Sequence, residues 1–177
     1  MATFQHQEFN DLPTTQLGKV YTLISTGFPI YEQRTAEQLG EALSDNRYHF
    51  RAYLEDGEVV AILAFWKMPT YVYIEHFAVI DESRGKGVGS QILKSFKEEM
   101  KALPVILEID PLTSDVARKR CEFYTQLGFV LNDFPHKHPA YREIFEPHEL
   151  TVLSCPEVLS SKLYQVFATD LRKVIVK

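Results

Sequence analysis

Only two cysteines occur among the 177 residues, and other features that mark special protein classes are equally scarce. Cys121 and Cys155 lie far apart, so we predict two free thiols in a reducing compartment rather than a disulfide framework. The longest unbroken apolar run, Val59 to Trp66, has eight residues, whereas a membrane helix needs about 20. No Lys or Arg precedes Lys19 and no apolar run opens the chain. We therefore expect no secretory signal and a cytoplasmic protein.

Positive charge is also in short supply, with 19 Lys and Arg against 24 Asp and Glu and a net charge of -5. An acidic chain disfavours a broad polyanion-binding face, so we expect neither a nucleic-acid partner nor a membrane partner. The six histidines include no H-E-x-x-H, and we expect no metal site, although His136 and His138 share one loop. The length predicts one domain over residues 1–177, and the 45% hydrophobic composition can supply its core.

Apolar periodicity and turn residues predict a regular order of elements. Helices are predicted at 15–26, 35–45, 85–100, 114–127 and 157–176, and strands at 3–9, 48–55, 58–68, 71–80, 104–109, 129–131 and 149–154. Asp56-Gly57 predicts a hairpin turn, and residues 134–147 a loop. This order indicates an α+β fold with a mixed, mostly antiparallel central sheet and helices on both faces.

The sharpest local signal is the run Arg84-Gly85-Lys86-Gly87-Val88-Gly89-Ser90, between a predicted strand and a predicted helix. Free backbone N–H groups at a helix N-terminus, with Arg84 and Lys86 beside them, predict an anion site suited to a pyrophosphate. The run lacks the Gly-Lys-Ser/Thr ending of a P-loop. It nearly matches the dinucleotide signature G-x-G-x-x-G, but Ser90 replaces the third small residue and the run does not open a βαβ unit.

Two motifs in this order resemble the GNAT superfamily of N-acetyltransferases. Arg84 to Gly89 fits the Q/R-x-x-G-x-G/A signature of that family and follows the hydrophobic strand Tyr73 to Ile80. Phe123-Tyr124-Thr125-Gln126-Leu127-Gly128-Phe129 is similar to the helix of the family that carries a Tyr and ends in Gly-Phe. The element order matches over residues 3–155, which we take as the core before a C-terminal helix at 157–176. The chain departs from the pattern at Ala117, where many members carry Asn.

The resemblance implies acetyl-CoA as the cofactor. By the same resemblance, the pantetheine arm would run between splayed strands 73–80 and 105–109, and a backbone N–H near Phe77 or Val79 would polarise the thioester carbonyl. The cofactor-binding residues that it implies are Phe77, Ala78, Val79, Arg84, Gly85, Lys86, Gly87, Val88, Gly89 and Ser90. The basic run Arg118-Lys119-Arg120 could meet a CoA phosphate or be a solvated helix face.

Tyr124 is the predicted general acid, or hydrogen-bond donor to the departing thiolate, because the resemblance places it beside the cofactor sulfur. The alternative is a core aromatic whose phenol is bonded to a neighbouring strand.

Glu75 is the predicted general base, since strand alternation would place Tyr73, Glu75 and Phe77 on one side, and partial burial would raise its pKa. The alternative is a carboxylate that pairs with an arginine or caps a backbone amide. Glu108 on the facing strand and a chain of water molecules are competing bases. His76 is predicted to point to the other face as a satisfied core histidine.

The predicted activity is transfer of acetyl from acetyl-CoA to a primary amine of a small molecule. The region where the resemblance places the acceptor offers Phe28, Tyr31, Glu32, Arg34, His136, His138, Tyr141 and Arg142. Alternatives are a protein lysine or N-terminal acetyltransferase and a non-catalytic acyl-CoA-binding regulator. The terminal helix, with apolar positions from Val158 to Ile175, could cover its own sheet or pair two chains as a homodimer.

Overall fold

Nine strands and five α-helices form in residues 4–177, the part of the chain that the computed structural model describes. The strands are β1 (Gln5–Glu8), β2 (Tyr48–Glu55), β3 (Glu58–Lys67), β4 (Val72–Val79), β5 (Val105–Ile109), β6 (Val130–Leu131), β7 (Lys137–His138), β8 (His148–Glu149) and β9 (Thr151–Cys155). The helices are α1 (Thr14–Gly27), α2 (Ala36–Leu43), α3 (Val88–Glu99), α4 (Asp115–Gln126) and α5 (Ser161–Asp170), continued by a π-helical turn at Leu171–Ile175. Thr3, where the first predicted strand begins, lies outside the described residues.

Seven strands form one sheet in the order β1-β2-β3-β4-β5-β9-β6. β4 and β5 are parallel, and the other neighbours are antiparallel. The β2–β3 hairpin turns at Asp56 and Gly57, whose φ angles of 51° and 81° are those that a two-residue hairpin turn requires. The predicted mixed, mostly antiparallel sheet is confirmed.

Two apolar clusters lie on opposite faces of the sheet. α1, α2 and α5 cover one face with side chains such as Val20, Ala42 and Phe167. α3 and α4 cover the other face with side chains such as Leu93 and Cys121. The terminal helix therefore packs on its own sheet, the first of the two uses predicted for it.

The predicted elements differ most from the observed ones after residue 133. The helix predicted at 157–176 begins only at Ser161, because Ser160 is extended and its side chain accepts a hydrogen bond from Leu163 N. The strand predicted at 149–154 divides into β8 and β9, and the predicted loop 134–147 contains β7, which pairs with β8. Two-residue ladders are too short to show an alternating pattern in sequence.

A β-bulge at Glu75 changes which side chains of β4 share a face. Ala64 of β3 pairs with His76 and Phe65 pairs with Ile74, so Glu75 has no partner opposite it. An extra residue in one strand reverses the alternation beyond it. The prediction that Glu75 and Phe77 share a side is therefore wrong, because Phe77 packs with the α3–α4 cluster while Glu75 contacts Arg34 of the opposite layer.

Cys121 and Cys155 are free and buried, as predicted. None of the helices within residues 4–177 combines the length and the apolar character that a membrane span requires.

Candidate active site

The parallel strands β4 and β5 separate after two residue pairs, Val72 with Val105 and Tyr73 with Ile106. Beyond that point the facing edges of both strands have no strand partner among residues 4–177, although β4 still pairs with β3 and β5 with β9. The gap opens into a cavity of about 890 Å³. Unpaired backbone N–H and C=O groups at such edges require a hydrogen-bonding partner, and an extended ligand can supply it.

The glycine run closes one end of this cavity. Gly85 and Gly87 have φ angles of 76° and 78°, a left-handed conformation that glycine adopts without strain. Gly87 is the N-cap of α3, and no side chain in the described part of the chain caps this helix. Its first backbone N–H groups are thus left for an anionic group, which the helix dipole also favours.

Most of the predicted cofactor-binding residues line the cavity together, and one does not. Those that line it are Phe77, Ala78, Val79, Arg84, Gly85, Gly87, Val88, Gly89 and Ser90. Lys86 is exposed and is not part of the wall. Arg84 donates to the Val79 carbonyl at 3.3 Å and pairs with Asp81 at 3.1 Å, so it is held beside the loop.

Close packing around Gly89 explains why this position in the run is small. A Cβ atom there would lie 3.4 Å from Phe123 Cζ, 3.5 Å from a Val79 methyl and 3.6 Å from Phe77 Cζ. The first turn of α3 therefore approaches β4 closely, which brings its N–H groups to the cavity. Lys119 and Arg120 of α4 add positive charge to the wall, whereas Arg118 pairs with Asp115 at 2.5 Å outside it.

Tyr124 reaches the same cavity from α4. Its side chain packs against Phe123 and Phe129, and its hydroxyl forms no hydrogen bond with any residue of 4–177. Burial raises the pKa of Tyr124 to about 12. The phenol is therefore protonated at neutral pH and free to donate, rather than bonded to a neighbouring strand.

Glu75 is held in a buried ion pair. Arg34 donates to both of its oxygens, at 2.6 and 3.2 Å, and Trp66 Nε1 donates at 3.4 Å. Burial opposes ionisation, but the charge of Arg34 and the nearby His76 ring outweigh it and lower the pKa of Glu75. The expectation of a raised pKa is wrong, because the sequence did not show that a guanidinium would share the site.

His76 lies on the same face of the sheet as Glu75. The prediction that it points to the other face is wrong, because the bulge at Glu75 reverses the alternation of side chains. Its Nε2 contacts the Glu32 carbonyl at 2.7 Å, and its Nδ1 lies 3.4 Å from Glu75 Oε2. The ring is buried and satisfied, as predicted, although it also forms part of the cavity wall.

Glu108 of β5 is the centre of a second buried network. Its Oε1 accepts a hydrogen bond from the Tyr73 hydroxyl and its Oε2 one from His136 Nε2. His138 Nε2 lies 3.8 Å from Oε1. Burial opposes ionisation, but His138 and His136 outweigh it, so the pKa of Glu108 is lowered.

The predicted acceptor region is only partly brought to the cavity. Phe28, Glu32, His138 and Tyr141 line it, whereas Tyr31, Arg34, His136 and Arg142 do not. Tyr73 was not predicted as a site residue, because a tyrosine in an apolar strand gives no signal that its hydroxyl meets a carboxylate on the next strand.

The residues present fit a CoA thioester. The uncapped helix N-terminus and the basic side chains suit a pyrophosphate, the unpaired strand edges suit an extended amide-bearing arm, and Tyr124 lies on the same wall.

Comparison with protein families gives one match, the acetyltransferase (GNAT) family, over residues 17–129. A curated relative, the putative acetyltransferase YjbC of Bacillus subtilis, is 29% identical over 111 residues. The match covers 62% of this chain and 55% of the relative, so the chain spans about half of the length of that protein.

Solved structures share the fold. A putative acetyltransferase of the GNAT family from Bacteroides thetaiotaomicron superposes with a TM-score of 0.87 and 23% identity, over 99% of this chain and 98% of that one. An acetyltransferase of Bacillus subtilis in complex with CoA superposes with a TM-score of 0.58 and 15% identity, over 86% of this chain and 97% of that one. At these identities the likeness establishes the fold.

Proposed function

The chain belongs to the acetyltransferase (GNAT) family of acetyl-CoA-dependent acyltransferases, and from this premise we propose that it acetylates the primary amine of a small molecule. The observation that carries the proposal is the cavity between β4 and β5. It joins an anion-binding glycine loop to a tyrosine hydroxyl that has no partner within the described residues.

In the proposed complex, the N–H groups from Arg84 to Gly89 hold the pyrophosphate of acetyl-CoA. The edge of β4 near Phe77 and Val79 pairs with the pantetheine arm, and one N–H there polarises the thioester carbonyl. Acetyl-CoA supplies an acetyl group already activated as a thioester. A backbone donor at such an oxygen contributes about 3 kcal/mol to transition-state stabilisation.

Tyr124 donates a proton to the departing sulfur in this mechanism. Its high pKa keeps the phenol protonated in the resting enzyme, and its hydroxyl has no competing hydrogen bond within residues 4–177. The proton it gives up is replaced by one of the two that the attacking nitrogen loses.

The role of Glu75 as general base, predicted from the sequence, is the part of the mechanism that its surroundings support least. As a base it would take a proton against the charge of Arg34, which lowers its pKa. A carboxylate so stabilised is a weak proton acceptor at neutral pH. Glu108 meets the same objection, since both of its oxygens already accept hydrogen bonds.

A small acceptor is favoured by the size and lining of the cavity. A volume of about 890 Å³ falls within the range of small-molecule sites, and the acetyl donor must share it. Phe28 and Tyr141 form aromatic walls there, with Glu32 as a carboxylate. A protein acceptor would instead need an open groove leading to the same point.

Two measurements test the proposal. Titration calorimetry should show acetyl-CoA binding at tens of micromolar or tighter, and a thiol-release screen over amines, amino acids and peptides should find turnover with a small amine. Absence of binding would overturn the proposal. Binding without turnover would indicate the non-catalytic regulator, and turnover with peptides alone would indicate a protein acetyltransferase.

A further inference from the structure

His138 is the cavity-lining histidine within residues 4–177 that has one ring nitrogen free of hydrogen bonds. Its Nδ1 lies 2.7 Å from the Pro139 carbonyl oxygen. A carbonyl can only accept a hydrogen bond, so Nδ1 carries the proton, and Nε2 of the neutral ring presents a lone pair. That Nε2 forms no hydrogen bond with any residue of 4–177, and His138 lines the cavity.

The two histidines of the neighbouring buried networks have both ring nitrogens occupied. His136 uses both nitrogens, Nε2 toward Glu108 and Nδ1 at 2.9 Å from the Tyr164 hydroxyl. His76 likewise has its two nitrogens at the Glu32 carbonyl and at Glu75. Among the cavity-lining histidines in the described part of the chain, a free imidazole lone pair is thus left only at His138.

We propose that His138 is the base that takes a proton from the acceptor ammonium, and that Glu108 positions it and stabilises the imidazolium. The inference rests on the proposed acetyl transfer. Imidazole exchanges protons near neutral pH, which suits it to this step. The Glu108 carboxylate lies 3.8 Å from Nε2. It therefore favours the protonated ring by its charge but forms no hydrogen bond that would occupy Nε2 in the neutral ring.

Groups on this cavity wall account for each proton moved in the proposed acetyl transfer. The ammonium gives one proton to His138 Nε2, and the freed amine attacks the thioester carbonyl carbon. The C–N bond forms, the C–S bond breaks, and the sulfur leaves with its electron pair and takes a proton from Tyr124. The second proton of the nitrogen restores the phenol, and His138 releases its proton to solvent, so the products are an amide, CoA thiol and one proton.

The surroundings of His138 define what a pH profile would report. Its ring faces Glu108 from β5, Tyr141 with ring centroids 5.1 Å apart, and His148 from β8 at 5.5 Å. His148 is its direct cross-strand partner, contacts Glu32 at 3.2 Å and does not line the cavity. It is therefore a matched control in the same two-stranded ladder.

The test compares kcat/KM against pH with the best amine from the thiol-release screen. His138→Gln should lower kcat/KM at neutral pH about 100-fold or more and abolish its fall at acidic pH. Glu108→Gln should move that fall to lower pH, because loss of the carboxylate destabilises the imidazolium. His148→Gln should stay within about twofold of wild type, and acetyl-CoA affinity should be unchanged in all three.

Two further readouts separate chemistry from folding. Added imidazole should restore part of the activity of His138→Ala. In the free protein, nitrogen-15 NMR should show neutral His138 with its proton on Nδ1. A proton on Nε2, or a His138→Gln enzyme with full activity and an intact acidic limb, would overturn the role of His138. Absence of turnover in the wild type would overturn the proposed function itself.

Discussion

At Tyr124, burial keeps the hydroxyl protonated, and the lack of a hydrogen-bond partner within the described residues leaves it available to donate. Burial raises its pKa to about 12, so the hydroxyl keeps its proton until a stronger base than water is formed beside it. A thiolate leaving a thioester is such a base. Sequence pattern alone places this tyrosine on an amphipathic helix, where it could equally be a core aromatic.

Tyr124→Phe removes only the hydroxyl and should lower kcat about 100-fold or more, the usual contribution of a positioned proton donor. Acetyl-CoA affinity by calorimetry should be unchanged, because the ring still packs against Phe123 and Phe129. Tyr21→Phe, at an exposed position of α1, is the control. Full turnover by Tyr124→Phe would exclude the proposed donor.

Glu75 and Arg34 illustrate the opposite case, in which two charges neutralise each other away from solvent. Their side chains are 0% and 7% exposed, and Arg34 also packs over the ring of Tyr141 at 5.1 Å. Removing one partner leaves the other charge buried and unpaired, which costs about 3–5 kcal/mol. The free energy of unfolding of Glu75→Gln should fall by about that amount near neutral pH.

The pH dependence of that loss has a definite sign. The pKa of Glu75 is lower in the folded than in the unfolded protein, so its contribution is present above the ordinary carboxyl pKa and is lost as pH falls through the folded value. The difference in denaturation free energy between wild type and Glu75→Gln should therefore shrink on acidification below about pH 4.5. Glu37→Gln, on the exposed side of α2, should show neither effect.

At the scale of elements, sequence patterns predict the extent of β4 but not the bulge within it. Its length and apolar character predict the strand to within one residue at each end. The bulge at Glu75 could not be predicted, because no glycine or proline marks it and the partner strand decides where the extra residue sits. One inserted residue then moves Phe77 to the α3–α4 side and leaves His76 beside Glu75.

The glycine loop was predictable because positive φ angles demand glycine. The nearest atom to a new Cβ at Gly87 is 3.9 Å away, so alanine would meet no clash there. Gly87→Ala should therefore cost only the strain of a left-handed φ of 78°, about 1–2 kcal/mol of stability. If the backbone relaxes instead, acetyl-CoA affinity should fall about tenfold. Thermal unfolding and calorimetry measure the two effects.

Gly18→Ala is the matched control for that substitution. It lies in the interior of α1, and within residues 4–177 no atom beyond its chain neighbours and the helix backbone lies within 4 Å of a new Cβ. The substitution should therefore stabilise the protein by up to about 1 kcal/mol and leave acetyl-CoA binding unchanged. Equal behaviour of the two alanine variants would show that the conformation of the loop does not matter.

At the scale of the whole molecule, local motifs locate the proposed acetyl donor site, whereas contacts between residues far apart in sequence form the buried charge networks. Arg34 meets Glu75 across 41 positions and His136 meets Glu108 across 28. Nothing in the spacing of these residues predicts either pair, because each depends on how helices and loops pack onto the sheet. The buried charge networks at the cavity wall therefore could not be predicted from sequence patterns, although most of their members are candidate site residues in the sequence.

Charge distribution over the whole molecule leads to the last prediction. The net charge is -5, yet Arg84, Lys119 and Arg120 lie on the cavity wall, so a phosphorylated ligand is drawn to a local site rather than to the general surface. Acetyl-CoA at 100 times its Kd should stabilise the fold by about 2.7 kcal/mol, roughly 5–10 °C in Tm for a chain of this size. Acetylated pantetheine, which lacks the phosphates, should stabilise the fold much less at equal concentration. Raising NaCl to 0.5 M, roughly three times physiological ionic strength, should reduce the Tm shift caused by acetyl-CoA and leave that caused by acetylated pantetheine unchanged. Equal, salt-independent shifts for both compounds would show that the glycine loop and its basic neighbours do not bind the phosphates.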